Sequence, residues 1–345
     1  MFYIHQSSCI SPQQTFKDAD LTVLHGPVEK QLKAIEPAYD AIPPGVLRRM
    51  GKAVRMGAGT ALPLLQEHGK TDGIIIATAN AGKEDCVKFL DQIVQYEEGM
   101  LTPLNFVQST PNAIAGQLGL ITKNHGYNIT HLHQGLAFEN ALMDADMRLA
   151  EYPGHQYLLG AVDDISVSSY TFEEKEGWHK QEDISNKDLY NADSPGSIAG
   201  EAAVMFLVNN IAAGAKAKLV AVDTLHSTDE HIIKERLTFF IQQHLQNNKA
   251  DLLLSGEDGD NRLAHFYDMA AAVAGNETPI ARYKHMCGAY PTASAFGLWI
   301  ACEILKAGAL PEHMTGSLLR VSYKNILLYN SYRGYQHSFM LVSVA

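Results

Sequence analysis

Gly73-Ile-Ile-Ile-Ala-Thr constrains this chain more than any other stretch. It is apolar at successive positions, so both of its faces must be covered. It is also too short for a core helix, and Asp72 and the Asn80/Gly82 turn bound it. A short β-branched run of this kind reads as a strand buried on both faces, inside a parallel or mixed sheet covered by helices. The alternation continues along the chain. Residues 83–96 follow helical period, with Val87, Leu90, Ile93 and Val94 on one stripe. Residues 156–162 (ended by Asp163-Asp164), 202–208 and 218–222 read as strands, and 230–246 as a long amphipathic helix. Asp251-Leu-Leu-Leu-Ser runs into a turn rich in Gly and Asp, and residues 325–329 and 338–344 read as a terminal strand pair. Residues 170–197 have little periodicity and read as a surface excursion, a lid or interface loop. The strand–turn–helix near residue 73 is echoed near residue 251. Two similar halves, 1–214 and 215–345, are therefore expected within an α/β fold.

Composition narrows the function classes. Among 345 residues, 38 acidic side chains face 27 basic ones, a net charge of −11. That balance, with no basic cluster beyond Arg48-Arg49, argues against nucleic acid as the main partner. An apolar content of 46% with 19% charged residues excludes a disordered chain. The apolar runs are too short to span a bilayer, and Gln6, Ser7, Ser8 and Ser11 interrupt any leader-like start. Cys9, Cys86, Cys287 and Cys302 share no metal-like spacing and are too few for a disulfide framework. A soluble, cytoplasmic protein without a cofactor is the expectation.

An ordered set of motifs goes further. Phe106-Val-Gln-Ser-Thr-Pro-Asn-Ala-Ile-Ala-Gly-Gln-Leu-Gly-Leu is followed by Gly126-Tyr-Asn-Ile-Thr, by Ala137-Phe-Glu-Asn-Ala-Leu-Met-Asp-Ala and by Leu159-Leu-Gly-Ala-Val-Asp-Asp. Together these resemble the N-terminal half of the β-ketoacyl synthases of the thiolase superfamily. Leu47-Arg-Arg-Met-Gly, Gly200-Glu-Ala-Ala-Val, Lys284-His-Met-Cys-Gly-Ala with Ala293-Ser-Ala-Phe-Gly-Leu, and Asn330-Ser-Tyr-Arg-Gly-Tyr-Gln-His resemble further family motifs in the right order. The resemblance implies a thiolase-like five-layer αβαβα fold made of two similar halves. It also implies a dimer in which the strand after residues 110–119 pairs across a two-fold.

Condensation needs a thiolate to carry the acyl group and two imidazoles to stabilise the enolate. Counting back from Ala141-Leu142, the family cysteine falls on Gly135, or on Gln134 after a one-residue shift. The first histidine falls at Ser255 and the second at Ala289, while the loop lysine is retained as Lys284. Since such groups act as a unit, losing all three implies a site released from condensation. The resemblance is then to chain-length-factor-like subunits, which pair with an active ketosynthase and carry Gln at the elbow. That implies a ketosynthase heterodimer, or else a homodimer, working with acyl carrier protein in fatty acid or polyketide synthesis, such as that of an aryl polyene pigment. The acidic charge favours the partner chain as the carrier-protein docking site. The alternative is an active 3-oxoacyl-ACP synthase-like acyltransferase or decarboxylase with non-standard residues.

Several side chains are singled out beside these. His131 and His133, two apart on a strand end, are read as structural, with a displaced acid/base pair as the sharper alternative. Glu257, Asp258 and Asp260 fit a polar turn better than a cation site, and Cys287 is the best substitute nucleophile. Glu139 lies one turn into the elbow helix. Tyr332, Tyr335 and Phe138 are candidate pocket or gate residues.

Overall fold

The computed structural model describes residues 1–245, 249–315 and 322–345. Twelve strands are described: β1 (Phe2–Ile10), β2 (Gln31–Leu32), β3 (Gly73–Ala77), β4 (Tyr127–His131), β5 (Tyr157–Asp163), β6 (Ala199–Gly200), β7 (Ala202–Asn209), β8 (Ala217–His226), β9 (Leu252–Ser255), β10 (Ile280–Arg282), β11 (Asn325–Tyr332) and β12 (Gln336–Ser343). Ten of them form one hydrogen-bonded sheet in the order β10-β9-β11-β12-β8-β1-β7-β5-β3-β4, and β2 and β6 make a small parallel pair.

The long sheet repeats itself. From one edge, β4, β3 and β5 are parallel, and β7 and β1 then follow antiparallel. From the other edge, β10, β9 and β11 are parallel, and β12 and β8 follow antiparallel. The two fives are joined where Phe2–Ile4 of β1 pairs with residues 217–219 of β8.

Side-chain alternation converts this sheet into layers. On β3, Ile74 and Ile76 face the helices Lys52–His68 and Ala113–Thr122. Ile75 and Ala77 face the opposite side, with Phe138, Ala141 and Leu142 of the helix Ala137–Glu151. On the other five strands, Leu253 and Leu327 face the helices Glu230–His244 and Ala264–Ala274. Leu252, Leu254 and Leu328 turn to the central helix Ala293–Ala307. Both central helices lie in one core between the two sheet halves, which gives five layers. The strand reading of Gly73–Ala77 therefore holds for a simple reason: every one of its residues is buried.

Helix Lys83–Gln95 forms, but none of its residues is buried, and Leu90 and Val94 are 54% and 82% exposed. Its apolar stripe is not a core face. Helix 230–246 ends at His244, and Gln246 lies outside the described residues. Among the described residues no helix is long and apolar enough to cross a membrane.

A directional hydrogen-bond chain ties the periphery to this frame. The Leu21 carbonyl can only accept, so His313 carries its proton on Nε2 (2.7 Å), and its Nδ1 accepts from His285 Nε2 at 2.8 Å. His285 Nδ1 in turn accepts the Tyr190 hydroxyl at 3.1 Å. Burial, then the neighbouring His313 and Arg282, hold His285 down to about 3. His285 is thus neutral when folded, whereas the unfolded chain binds a proton below about pH 6.5. Its contribution is present above that value and is lost as pH falls toward 3. The stability gap between wild type and His285→Gln, read by urea denaturation, is expected to shrink steadily from pH 7 to pH 5. A gap independent of pH would contradict the neutral chain.

Candidate functional site

The site is built where the carboxyl ends of β3, β4, β5 and β9 meet the closing turn between β11 and β12. After β4 the chain makes a single 3₁₀ turn, Gln134–Leu136, and enters helix Ala137–Glu151. Gln134 has φ 49°, a left-handed conformation that costs a side-chain-bearing residue about 1–2 kcal/mol. Its exposed side chain accepts the Tyr335 hydroxyl at 2.9 Å. Gly135 is buried, and its N–H donates to Gln336 Oε1 at 2.9 Å. A Cβ at Gly135 would fall inside the Tyr332 side chain. Glycine is required here for room, since Tyr332 fills the space a side chain would take.

Behind the elbow, Phe138 is fully buried and packs against Phe206 with ring centroids 6.1 Å apart. Tyr332 and Tyr335 meet edge to face at 5.9 Å. Glu139 is also fully buried, and neither carboxyl oxygen has a hydrogen-bond partner. Burial pushes this carboxyl up, opposed by the nearby Ser338, Ser294 and Lys284.

The other two motifs converge on the same end. Ser255 closes β9, and its Oγ accepts the Glu257 N–H at 3.3 Å. The three acidic residues after it each face their own cation. Glu257 pairs with Arg282, Asp260 with Arg262 at 2.5 Å, and Asp258 lies 3.9 Å from Lys284 Nζ. Lys284 is 3% exposed and donates to the Ser331 carbonyl at 3.3 Å. Burial lowers its pKa and raises that of Asp258, and in each case the partner's charge opposes the shift.

Cys287 lies in the central core, its thiol donating to the Gly288 carbonyl at 3.3 Å, and burial pushes it up to about 12. A thiol held protonated in an apolar core is a poor nucleophile. Ala289 donates its N–H to the Ile198 carbonyl at 2.8 Å and accepts from Gly200. Gly288 has φ 78°, and a Cβ on either it or Gly200 would strike the other's backbone. The two motifs that contain these glycines are two backbones passing at contact.

His131 is half-buried, and its Nε2 meets Asp144 Oδ2 at 2.9 Å. Asp144 also accepts the Tyr127 hydroxyl, so this imidazole has a structural partner. His133 departs from expectation. It lies beyond the end of β4, is exposed, and its Nδ1 accepts from Asn140 at 3.0 Å. The two rings do not share a strand face. Among the described residues no three His, Cys, Asp or Glu side chains group as a metal site would require.

What remains open is a cavity of about 40 Å³ bounded by Asp258, Lys284, Ala289, Tyr290 and Tyr332, and by His179 of the surface excursion. His179 was not legible in sequence, because residues 170–197 have no period to place it.

Residues 25–184 match the β-ketoacyl synthase N-terminal domain. Over that stretch the chain is β-ketoacyl synthase-like. The fold is thiolase-like and extends over the whole chain. A chain from the complex of a ketosynthase with its chain length factor from Xenorhabdus doucetiae superposes with a TM-score of 0.81 at 11% identity, over 100% of this chain and 98% of that one. The ishigamide ketosynthase/chain length factor gives 0.78 at 13% identity, and a β-ketoacyl synthase from Burkholderia phymatum gives 0.76 at 15%, each over 100% of this chain and 99% of the other. No curated protein matches the sequence.

The geometry of this ketosynthase-like elbow is open to mutation. Gly135→Ala is expected to cost about 1–3 kcal/mol by overpacking against Tyr332. In a Tyr332→Ala background the same change should cost little, as read from thermal midpoints of the four proteins. Equal costs in both backgrounds would mean that Tyr332 is not what crowds Gly135.

Proposed function

We propose that this chain is a non-condensing, chain-length-factor-type subunit of a ketosynthase heterodimer working on acyl carrier protein, in polyketide or fatty acid synthesis such as that of an aryl polyene. The observation that carries the reading is the state of the elbow. We assign the elbow to Gln134, the left-handed residue at the strand-to-helix junction, with Gly135 behind it closed off by Tyr332. Ser255 and Ala289 stand where the resemblance expects imidazoles, and Cys287 is buried and protonated. We take residues 1–214 and 215–345 as the two halves of the fold.

The surface supports a partner. β4 is an edge strand of the ten-stranded sheet, and Leu120 and Leu132 beside it are 76% and 51% exposed. Phe106, Val107 and Val94 are exposed as well. An open strand edge flanked by exposed apolar side chains favours pairing with another chain. Carrier protein has a second place to dock besides the partner chain, contrary to what net charge suggests. Arg48 and Arg49 are exposed on a surface pocket of about 290 Å³ that Glu84, Asp85 and Asp164 also line, and its other cations, Lys52, Arg55 and Lys88, pair with Glu201, Glu36 and Glu84.

Co-expression with a ketosynthase encoded nearby should yield a one-to-one mixed dimer by native mass spectrometry, and Leu132→Asp should weaken it at least tenfold. Purification of this chain only with itself would favour the homodimer. Incubation with an acyl thioester or a cysteine-directed inhibitor should leave Cys287 unmodified. A stoichiometric adduct there would establish the acyltransferase or decarboxylase reading instead. Reversing both arginines, as R48E with R49E, should weaken capture by acyl carrier protein, and unchanged capture would leave docking to the partner chain alone.

A further inference from the structure

The small cavity at the remnant of the condensing site is bounded by polar atoms that nothing in the protein satisfies. His179 is 5% exposed, and neither ring nitrogen makes a hydrogen bond. Its ring stacks on Tyr170 at 4.7 Å, and Nε2 stands 3.4 Å from Glu173 Oε2, close but not hydrogen-bonded. The Tyr290 hydroxyl, which has the Cys287 thiol as a polar neighbour, and Ser331 Oγ, from residues bounding the same cavity, are buried and make no hydrogen bond of ordinary geometry. Lys284 adds unused capacity, since an ammonium has three donors and Nζ gives one to the Ser331 carbonyl. Leaving a buried donor or acceptor unsatisfied is costly, so several around one void point to an occupant.

Charge and size select its chemistry. Glu173, Asp258 and Asp260 already outnumber Lys284 and Arg333 on the walls, so an anion is opposed. The unsatisfied groups are a hydroxyl, a second hydroxyl and an imidazole, each able both to donate and to accept, and a small neutral molecule that does both can match them in either role. A void of about 40 Å³ has room for about three water molecules at most, and an acyl chain does not fit.

We propose that this cavity is an internal water site, in which water bridges His179 to Tyr290, Ser331 and Lys284. The site lies beside Ala289, where a condensing relative would be expected to carry an imidazole. The excursion thus supplies a histidine that holds water instead of substrate. The inference deepens the non-condensing reading, but its test is separate, because adduct formation at Cys287 bears on that reading alone.

A high-resolution crystal structure of the full chain should show ordered density within hydrogen-bond distance of a His179 nitrogen and of the Tyr290 hydroxyl. A thermal double-mutant cycle supplies the solution readout. His179→Leu and Tyr290→Phe, which remove two groups that do not bond to each other, should be clearly non-additive because they share the same water. Tyr290→Phe with Ser331→Ala should behave likewise. An empty cavity would overturn the proposal, as would His179 turned into a direct bond with Glu173, or additive effects in both cycles. If His179→Leu fails to fold, the Tyr290 and Ser331 cycle and the density decide the matter.

Discussion

The Asp163 carboxylate is the contact on which the site depends. It is fully buried at the end of β5, and five donors converge on it. Oδ1 accepts from Thr78 Oγ1 at 3.0 Å and from the N–H groups of Ala79 and Asn80 at 2.8 and 2.7 Å. Oδ2 accepts from the Thr292 N–H and hydroxyl at 3.2 and 2.8 Å. Burial pushes this carboxyl up while the donors pull it back. The result is a clamp between the turn after β3, the end of β5 and the start of the central helix Ala293–Ala307, so one side chain joins the two sheet halves at the end where the site forms. Glu201 does comparable work one strand away, accepting from the N–H groups of Ala34 and Ile165 and from Lys52. Deleting Asp163 would leave buried donors of Asn80 and Thr292 unpaired, which costs more than the bonds themselves contribute.

With that frame fixed, scaffold and chemistry can separate. Lys284 illustrates how. Its ammonium holds the Ser331 carbonyl in the closing turn and faces Asp258, so its place is justified without any reacting thiolate. Removing one partner of a buried pair leaves an uncompensated charge, which is strongly destabilising. Gly200 and Gly288 are kept apart from chemistry in the same way, because two backbones touch there. Side chains that serve only the reaction have no such tie. Their value collapses together once one is gone, and at Gly135 it is Tyr332 that fills the space a side chain would need.

The fold was legible wherever burial imposed a period. β3, β5 and β7 are buried at every residue, and such short apolar runs admit few other readings. Helix Lys83–Gln95 is different, since its period fixes an apolar face but not whether that face meets a core or a partner. The elbow is a further case. Sequence left Gln134 and Gly135 open, and the usual rule would give the left-handed turn to glycine. Here the left-handed residue is Gln134, and the glycine beside it answers a crowding imposed by Tyr332, some two hundred positions away. His179 was invisible for the opposite reason: nothing local in an aperiodic segment shows that its ring is buried beside Lys284 and Tyr290.

This geometry also bears on how a non-condensing subunit could set chain length. The cavity beside Lys284 is too small for an acyl group, so in the proposed role any steric control would act outward. The exposed side chains at the elbow are Leu132, His133 and Gln134, and they continue directly from the open edge strand β4. Gln134 is held by Tyr335, and His133 by Asn140, so these positions are fixed rather than free to swing. A wall that limits a growing chain has to be rigid to be selective, because a side chain that yields gives no sharp cutoff. In the proposed heterodimer the tyrosine pair that closes this chain's own elbow would therefore also stiffen the face presented to the partner's cavity.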